Sequence, residues 1–127
     1  MAFQFSKHYT REEARALLPQ IRQWLDQLLG LRGQLQECDR SIRSLTALGN
    51  DVGGEPVNRW MKTLREMQSV QAEFQQREIQ IKDLDCGLID FPAFVGGQEV
   101  FLCWEKDEED IDYWHDLTSG YGGREKL

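Results

Sequence analysis

Gly87–Arg124 reads GLIDFPAFVGGQEVFLCWEKDEEDIDYWHDLTSGYGGR. A chain patterned as helix up to Glu78 changes here to period-two hydrophobicity, tight turns and a dense polar–aromatic run. The stretch holds six of the 11 glycines, two of the 4 tryptophans and one of the 2 histidines, so turns and candidate chemistry fall together. Just before it, Ile79-Gln-Ile81-Lys alternates, and Asp83-Leu-Asp-Cys-Gly87 reads as a turn. Leu88–Phe91 begins a second strand, and Pro92 marks a strand end or an edge. Gly96-Gly97 supplies a hairpin turn before the β-prone Val100-Phe-Leu-Cys-Trp104. The expectation is a three-stranded antiparallel meander over residues 79–104, followed by an acidic and aromatic segment, 105–127.

Outward toward the N-terminus the pattern is helical. Thr10-Arg-Glu-Glu13 has the form of a capping box, after Phe3 and Phe5 in a short edge strand or extended arm. Ala14, Leu17, Ile21, Trp24, Leu28, Leu31, Leu35, Cys38, Ile42 and Leu45 then alternate by three and four. This is the a/d stripe of a coiled coil, and it predicts a helix over 11–48 packed on another. Pro19 predicts a kink or an irregular first turn, and Gly30 and Gly33 mark a close approach. Leu18, Leu25 and Leu29 widen the stripe in its first half, where the sheet is expected to lie.

The glycine-rich turn Leu48–Glu55 leads to Pro56 at the start of a second helix, 56–78, striped by Val57, Trp60, Leu64, Met67 and Phe74. The fold class is therefore α+β in one domain, 1–127: a long antiparallel helical hairpin with the small sheet at its base. About 36 helical residues span ~54 Å. So thin an arm is marginal alone, and a homodimer formed through the hairpin is expected.

Fifteen basic against 22 acidic residues leave a net charge of -7. That balance argues against nucleic-acid and anionic-membrane partners. No apolar run has the length of a membrane span or the form of a signal peptide. Three scattered cysteines, Cys38, Cys86 and Cys103, without a CxxC pair fit reduced thiols and a cytoplasmic protein.

Six acids and one lysine occupy Glu105–Asp112, ahead of Tyr-Trp-His-Asp116. The bland reading is a solvated acidic loop whose aromatics anchor it on the sheet. The sharper one takes Asp90, Glu108, His115 and Asp116 as oxygen and imidazole donors for a divalent metal, although the spacing matches no metal signature. A zinc site from Cys86, Cys103 and His115 is weaker, because Cys103 lies in an apolar run. The same setting, with acids nearby, argues against Cys103 as a nucleophile. Gly120-Tyr-Gly-Gly-Arg124 offers converging N–H groups and a guanidinium for an anion, or a tail folded back with Arg124 on Asp90, Glu108 or Asp116. His8, near a helix start, is assigned no role, and no cofactor is expected.

The order KDLDCGLIDFP (82–92), EVFLCW (99–104), YWH (113–115) and GYGGR (120–124), with FSKHYTREEARALLP (5–19) at the start, resembles the bacterial and archaeal domain of unknown function 2203 family. Asp107 stands where that family often has glycine, and Lys126 where it often has proline. The resemblance implies the architecture and a candidate cluster of Asp90, Trp104, Glu108, Trp114, His115 and Arg124; it implies no reaction. Two functions are expected from these residues. One is a non-catalytic interaction or scaffold protein that self-associates through its hairpin. The other is a small metal- or anion-binding enzyme using Asp90, Glu108, His115 and Arg124, provided that those four converge in a pocket.

Overall fold

The computed structural model describes residues 2–51 and 53–127; Met1, and Val52 of the expected inter-helix turn, lie outside the described residues. Two helices, α1 (Arg11–Ala47) and α2 (Glu55–Gln76), precede five strands. These are β1 (Gln80–Asp83), β2 (Leu88–Val95), β3 (Gln98–Trp104), β4 (Tyr113–Asp116) and β5 (Glu125–Lys126), antiparallel and side by side in chain order. The class is α+β, as expected, but the sheet has five strands rather than three. Only four residues make β4, and the acidic run before them hides the alternation. The two residues of β5 are exposed and carry no apolar pattern; pairing of Tyr113 with Lys126 and Trp114 with Glu125 creates that strand.

At the start of α1 the Thr10 hydroxyl accepts from Glu13 N at 3.1 Å, and the Glu13 carboxylate accepts from Thr10 N at 3.0 Å. The expected box is complete. The helix runs through Pro19 without a break. Its buried residues are Ala14, Leu18, Ile21, Leu25 and Leu28. The burial stripe is thus rotated from the expected one: Leu18 and Leu25 take its centre, while Leu17 and Trp24 lie at its edge. A helix wedged between α2 and a sheet turns its fully covered face toward both. A Cβ at Gly30 or Gly33 would meet nothing within 4 Å, so neither marks a close approach.

α2 lies along α1 in the opposite direction. The Phe74 and Trp24 rings meet edge-on at 5.4 Å, and farther out Glu66 and Gln34 border one groove. It ends in a Schellman arrangement, with Glu78 N donating to Gln75 O and Ile79 N to Phe74 O. The residue in left-handed conformation is Glu78 (φ 58), where glycine is usual. Its carboxylate accepts from Ser6 N, Ser6 Oγ and Lys7 N and holds the N-terminal residues as an extended arm. Glu99 holds the same arm through Gln4 N and Phe5 N. His8, for which the sequence suggests no role, bonds Glu99 at 2.7 Å and stacks on Phe94.

The sheet turns Ile89, Phe91, Ala93, Val100, Leu102 and Trp104 toward α1, forming the core with Ala14, Leu18, Ile21, Leu25 and Leu28. Burial at ~1.5–3 kcal/mol per large side chain makes this the dominant stabilisation. Gly96 and Gly97 (φ 59 and 79) close β2 onto β3 as a type I′ hairpin requires. Gly87 (φ 67) leaves no room for a side chain, because a Cβ would lie 2.6 Å from Lys106 Cβ. The acidic segment is fastened to α1. Arg15 forks onto Asp110 at 2.8 and 2.9 Å, Arg11 reaches Asp112 at 2.8 Å, and Arg22 donates to the carbonyls of Lys106 and Glu108. Among the described residues no helix is long and apolar enough to cross a membrane.

Candidate functional site

Alternation along the strands sends one set of side chains away from the helices. Asp90 pairs with Cys103, and Cys103 with Tyr113, so the three stand in a row across β2, β3 and β4. His115, two residues on from Tyr113, shares their face. An outward face of an antiparallel sheet is ordinarily solvated. Here Asp90 and His115 are each only 2% exposed and Cys103 is 0%. The cover comes from both chain ends: Phe5 of the arm packs edge-on against Phe101, and residues 117–121 form one wall of a concavity above the pair.

His115 Nε2 lies 3.0 and 3.1 Å from the two Asp90 carboxylate oxygens. Its other nitrogen, Nδ1, is 2.7 Å from the Asp116 carbonyl oxygen, which can only accept, so Nδ1 carries a proton. Nε2 therefore faces the carboxylate either as a second donor or as the acceptor of a carboxylic acid proton. In both forms one proton lies between the two side chains. Burial pushes the Asp90 carboxyl above its ordinary value, opposed by the charge and hydrogen bond of His115 and by the Cys103 thiol. The Cys103 thiol is pushed up to about 12, first by burial and then by the Asp90 charge. Near neutral pH it is a thiol rather than a nucleophilic thiolate.

Asp90 and His115 form part of the wall of a concavity of about 260 Å³, with Lys82, Leu88, Phe101 and the returning segment Leu117–Tyr121 around them. Lys82 Nζ sits 5.4 Å from the centre of the Phe101 ring. One donor atom from each of Asp90, Cys103 and His115 lies within 4.8 Å of the others, the one such group of metal-capable side chains among the described residues.

The other expected residues lie around this group rather than in it. Glu108 and Arg124 form a separate pair, with Arg124 Nη2 2.5 Å from Glu108 Oε2 and Nη1 3.8 Å from Glu105. Asp90, Glu108, His115 and Arg124 thus divide into two pairs, and only Asp90 and His115 border the concavity. Trp104 and Trp114 project to the opposite face; Trp104 is fully buried and donates through Nε1 to Glu108 O at 2.9 Å. Asp116 uses its carboxylate to accept from Thr118 N and Ser119 N, which turns the chain back over the sheet. These bonds hold it below the usual carboxylate range. Cys86 is exposed, away from Cys103 and His115.

The sequence points to Asp90 and His115, and more weakly to Cys103 as a zinc donor with His115 and the distant Cys86, but gives no sign of Lys82 or Tyr121. Strand register was the missing signal: Lys82, Asp90, Cys103 and His115 share a face only once β1 to β4 are aligned.

No curated protein and no solved structure matches the chain. The model of a family described as "Uncharacterized conserved protein (DUF2203)" matches residues 7–127, which include both helices and every strand of the sheet. The chain belongs to that family.

Proposed function

We propose that the protein acts through the concavity on the outer face of its sheet, binding a small polar molecule that bears a carboxylate or phosphate. The observation that carries this reading is a buried, proton-sharing Asp90–His115 pair at the wall of a cavity of ligand size. Burying two ionisable groups costs stability unless they are paired, and apolar residues would serve a merely structural sheet face as well. Burial pushes the Asp90 carboxyl up at the wall of a concave site, the setting in which binding and acid–base centres are found. Lys82 supplies a positive charge at the rim, and Ser119 and Thr118 supply hydroxyls. Titrating isotope-labelled protein with acetate, inorganic phosphate and imidazole tests it by NMR. Saturable shifts confined to Lys82, Asp90, His115 and Thr118–Tyr121 are expected. Shifts confined instead to the hairpin groove at Gly30, Leu31 and Val70 would move the site elsewhere.

A second reading, self-association through the hairpin as an interaction or scaffold protein, rests on a different observation. From Leu31 outward no α1 side chain is buried, and Leu31, Leu35, Ile42, Leu45, Trp60 and Leu64 are only half-covered. Pairing two hairpins into a four-helix arrangement would cover them. The free Cys38, Cys86 and Cys103 fit a reducing, cytoplasmic setting for either reading. Sedimentation equilibrium checks it: a monomer at tens of micromolar excludes an obligate dimer.

A further inference from the structure

We propose that Asp90, Cys103 and His115 hold a divalent transition-metal cation, zinc by donor type, with its open coordination position on the side of the concavity. The inference rests on reading that concavity as the site, but not on the identity of any organic ligand. One sulfur, one imidazole nitrogen and one carboxylate oxygen are a borderline-soft donor set of the kind zinc accepts; calcium and magnesium take oxygen ligands instead. All three donors already lie within 4.8 Å of one another. Bonds of 2.0–2.3 Å about a tetrahedral ion place donors about 3.3–3.6 Å apart. Asp90 and His115, at 3.0 Å, need to part by only a few tenths of an ångström.

The surroundings meet the remaining requirements of such a site. His115 spends Nδ1–H on the Asp116 carbonyl, which turns the other ring nitrogen toward Asp90 and fixes the ring, the usual support of a metal-bound imidazole. Asp90 and His115 border the concavity whereas Cys103 does not, so the ion has an entry path and one open side, with the sulfur behind it. The charges balance. A carboxylate and a thiolate neutralise a divalent ion, and binding releases two protons, one from the Cys103 thiol and one from the Asp90–His115 pair. A neutral centre beside Lys82 would then remain compatible with an anionic ligand in the concavity.

Cobalt(II) is the probe. The full chain carrying Cys38→Ser and Cys86→Ser, with Cys103 its sole thiol, is stripped with chelator and titrated. One equivalent should bind with thiolate-to-cobalt charge-transfer absorption that zinc abolishes. Asp90→Ala and His115→Ala should each weaken binding at least tenfold, and Cys103→Ser should remove the charge-transfer band. No stoichiometric binding, or a band indifferent to Asp90→Ala and His115→Ala, overturns the proposal. Should those variants fail to fold, X-ray absorption of the zinc-loaded wild-type chain reads the ligands directly. One sulfur with nitrogen and oxygen neighbours supports the site, and a sulfur-free or multi-sulfur shell overturns it. If metal-free protein still shows phosphate- or acetate-induced NMR shifts at the concavity while cobalt fails to bind, the cation falls and the ligand pocket stands.

Discussion

Arg124 Nη2 lies 2.5 Å from Glu108 Oε2, and the same guanidinium stacks between Tyr113 and Tyr121 at 3.9 and 4.6 Å from their ring centres. Three residues from the chain end, it ties the returning tail to the loop after β3. With the Arg124 side chain only 8% exposed, the contact is shielded from solvent. Arg124→Ala should cost about 2 kcal/mol in urea unfolding, the scale of a charge-assisted bond plus a cation–π contact. It should also open residues 117–127 to protease. Arg124→Lys should not restore either property, since an ammonium cannot reproduce the planar fork and stack. Wild-type stability and protease resistance in Arg124→Ala would refute the role.

Leu25 and Leu35 test where the helical seam is truly covered. Leu25 is 0% exposed between α1 and the sheet, whereas Leu35 is half-buried on the projecting part of the hairpin. Leu25→Ala should cost ~2–5 kcal/mol. Leu35→Ala should cost about 1 kcal/mol in the monomer, because a partly exposed side chain loses less transfer energy. A dependence of the Leu35→Ala loss on protein concentration would be the signature of a dimer seam. Equal losses at both positions, independent of concentration, would contradict this division of the helix.

The buried pair should behave as a unit. His115→Leu strands Asp90 at the concavity wall and should destabilise by about 3 kcal/mol, the low end for a broken buried pair, because Asp90 can take up a proton. Adding Asp90→Leu should recover part of that loss, giving a non-additive double-mutant cycle. Additive losses in chemical denaturation would show that the two side chains do not depend on each other.

Acid should release the N-terminal arm before it unfolds the core. The Ser6 hydroxyl and the N–H groups of Lys7 and Ser6 hold Glu78 below its ordinary value. Burial raises Glu99, but the His8 ring and the N–H groups of Gln4 and Phe5 outweigh it, and its net shift is also downward. A depressed folded-state pKa means that the stabilisation is present above the unfolded value, 4.5, and is lost as pH falls through the lower folded value. Amide exchange at Gln4–Lys7 should therefore lose protection below about pH 4.5 while core amides such as Leu102 keep theirs. Simultaneous loss at both places would show that the arm is not a separate unit.

Much of the architecture is local and was readable as such. The Thr10–Glu13 box, the helical period of α1, Pro56, the Gly96-Gly97 hairpin and the β-prone Val100–Trp104 each act within a few residues, so periodicity and turn chemistry reveal them, whereas which face of α1 is buried does not follow from them. Asp90 and His115 could be picked out as chemistry-bearing side chains on the same grounds. Their meeting could not. The two are 25 residues apart and bond only because β2, β3 and β4 align Asp90 with Cys103 and Phe101 with His115. A shift of one residue in either register would send one of them to the core face. The separation of Arg124 and Glu108 from that pair, the return of Leu117–Tyr121 over an otherwise open sheet face, and the use of Arg11, Arg15 and Arg22 to fasten an acidic loop are likewise long-range choices. Each is decided by which surfaces the packed core brings within bonding distance, and sequence spacing carries no record of that.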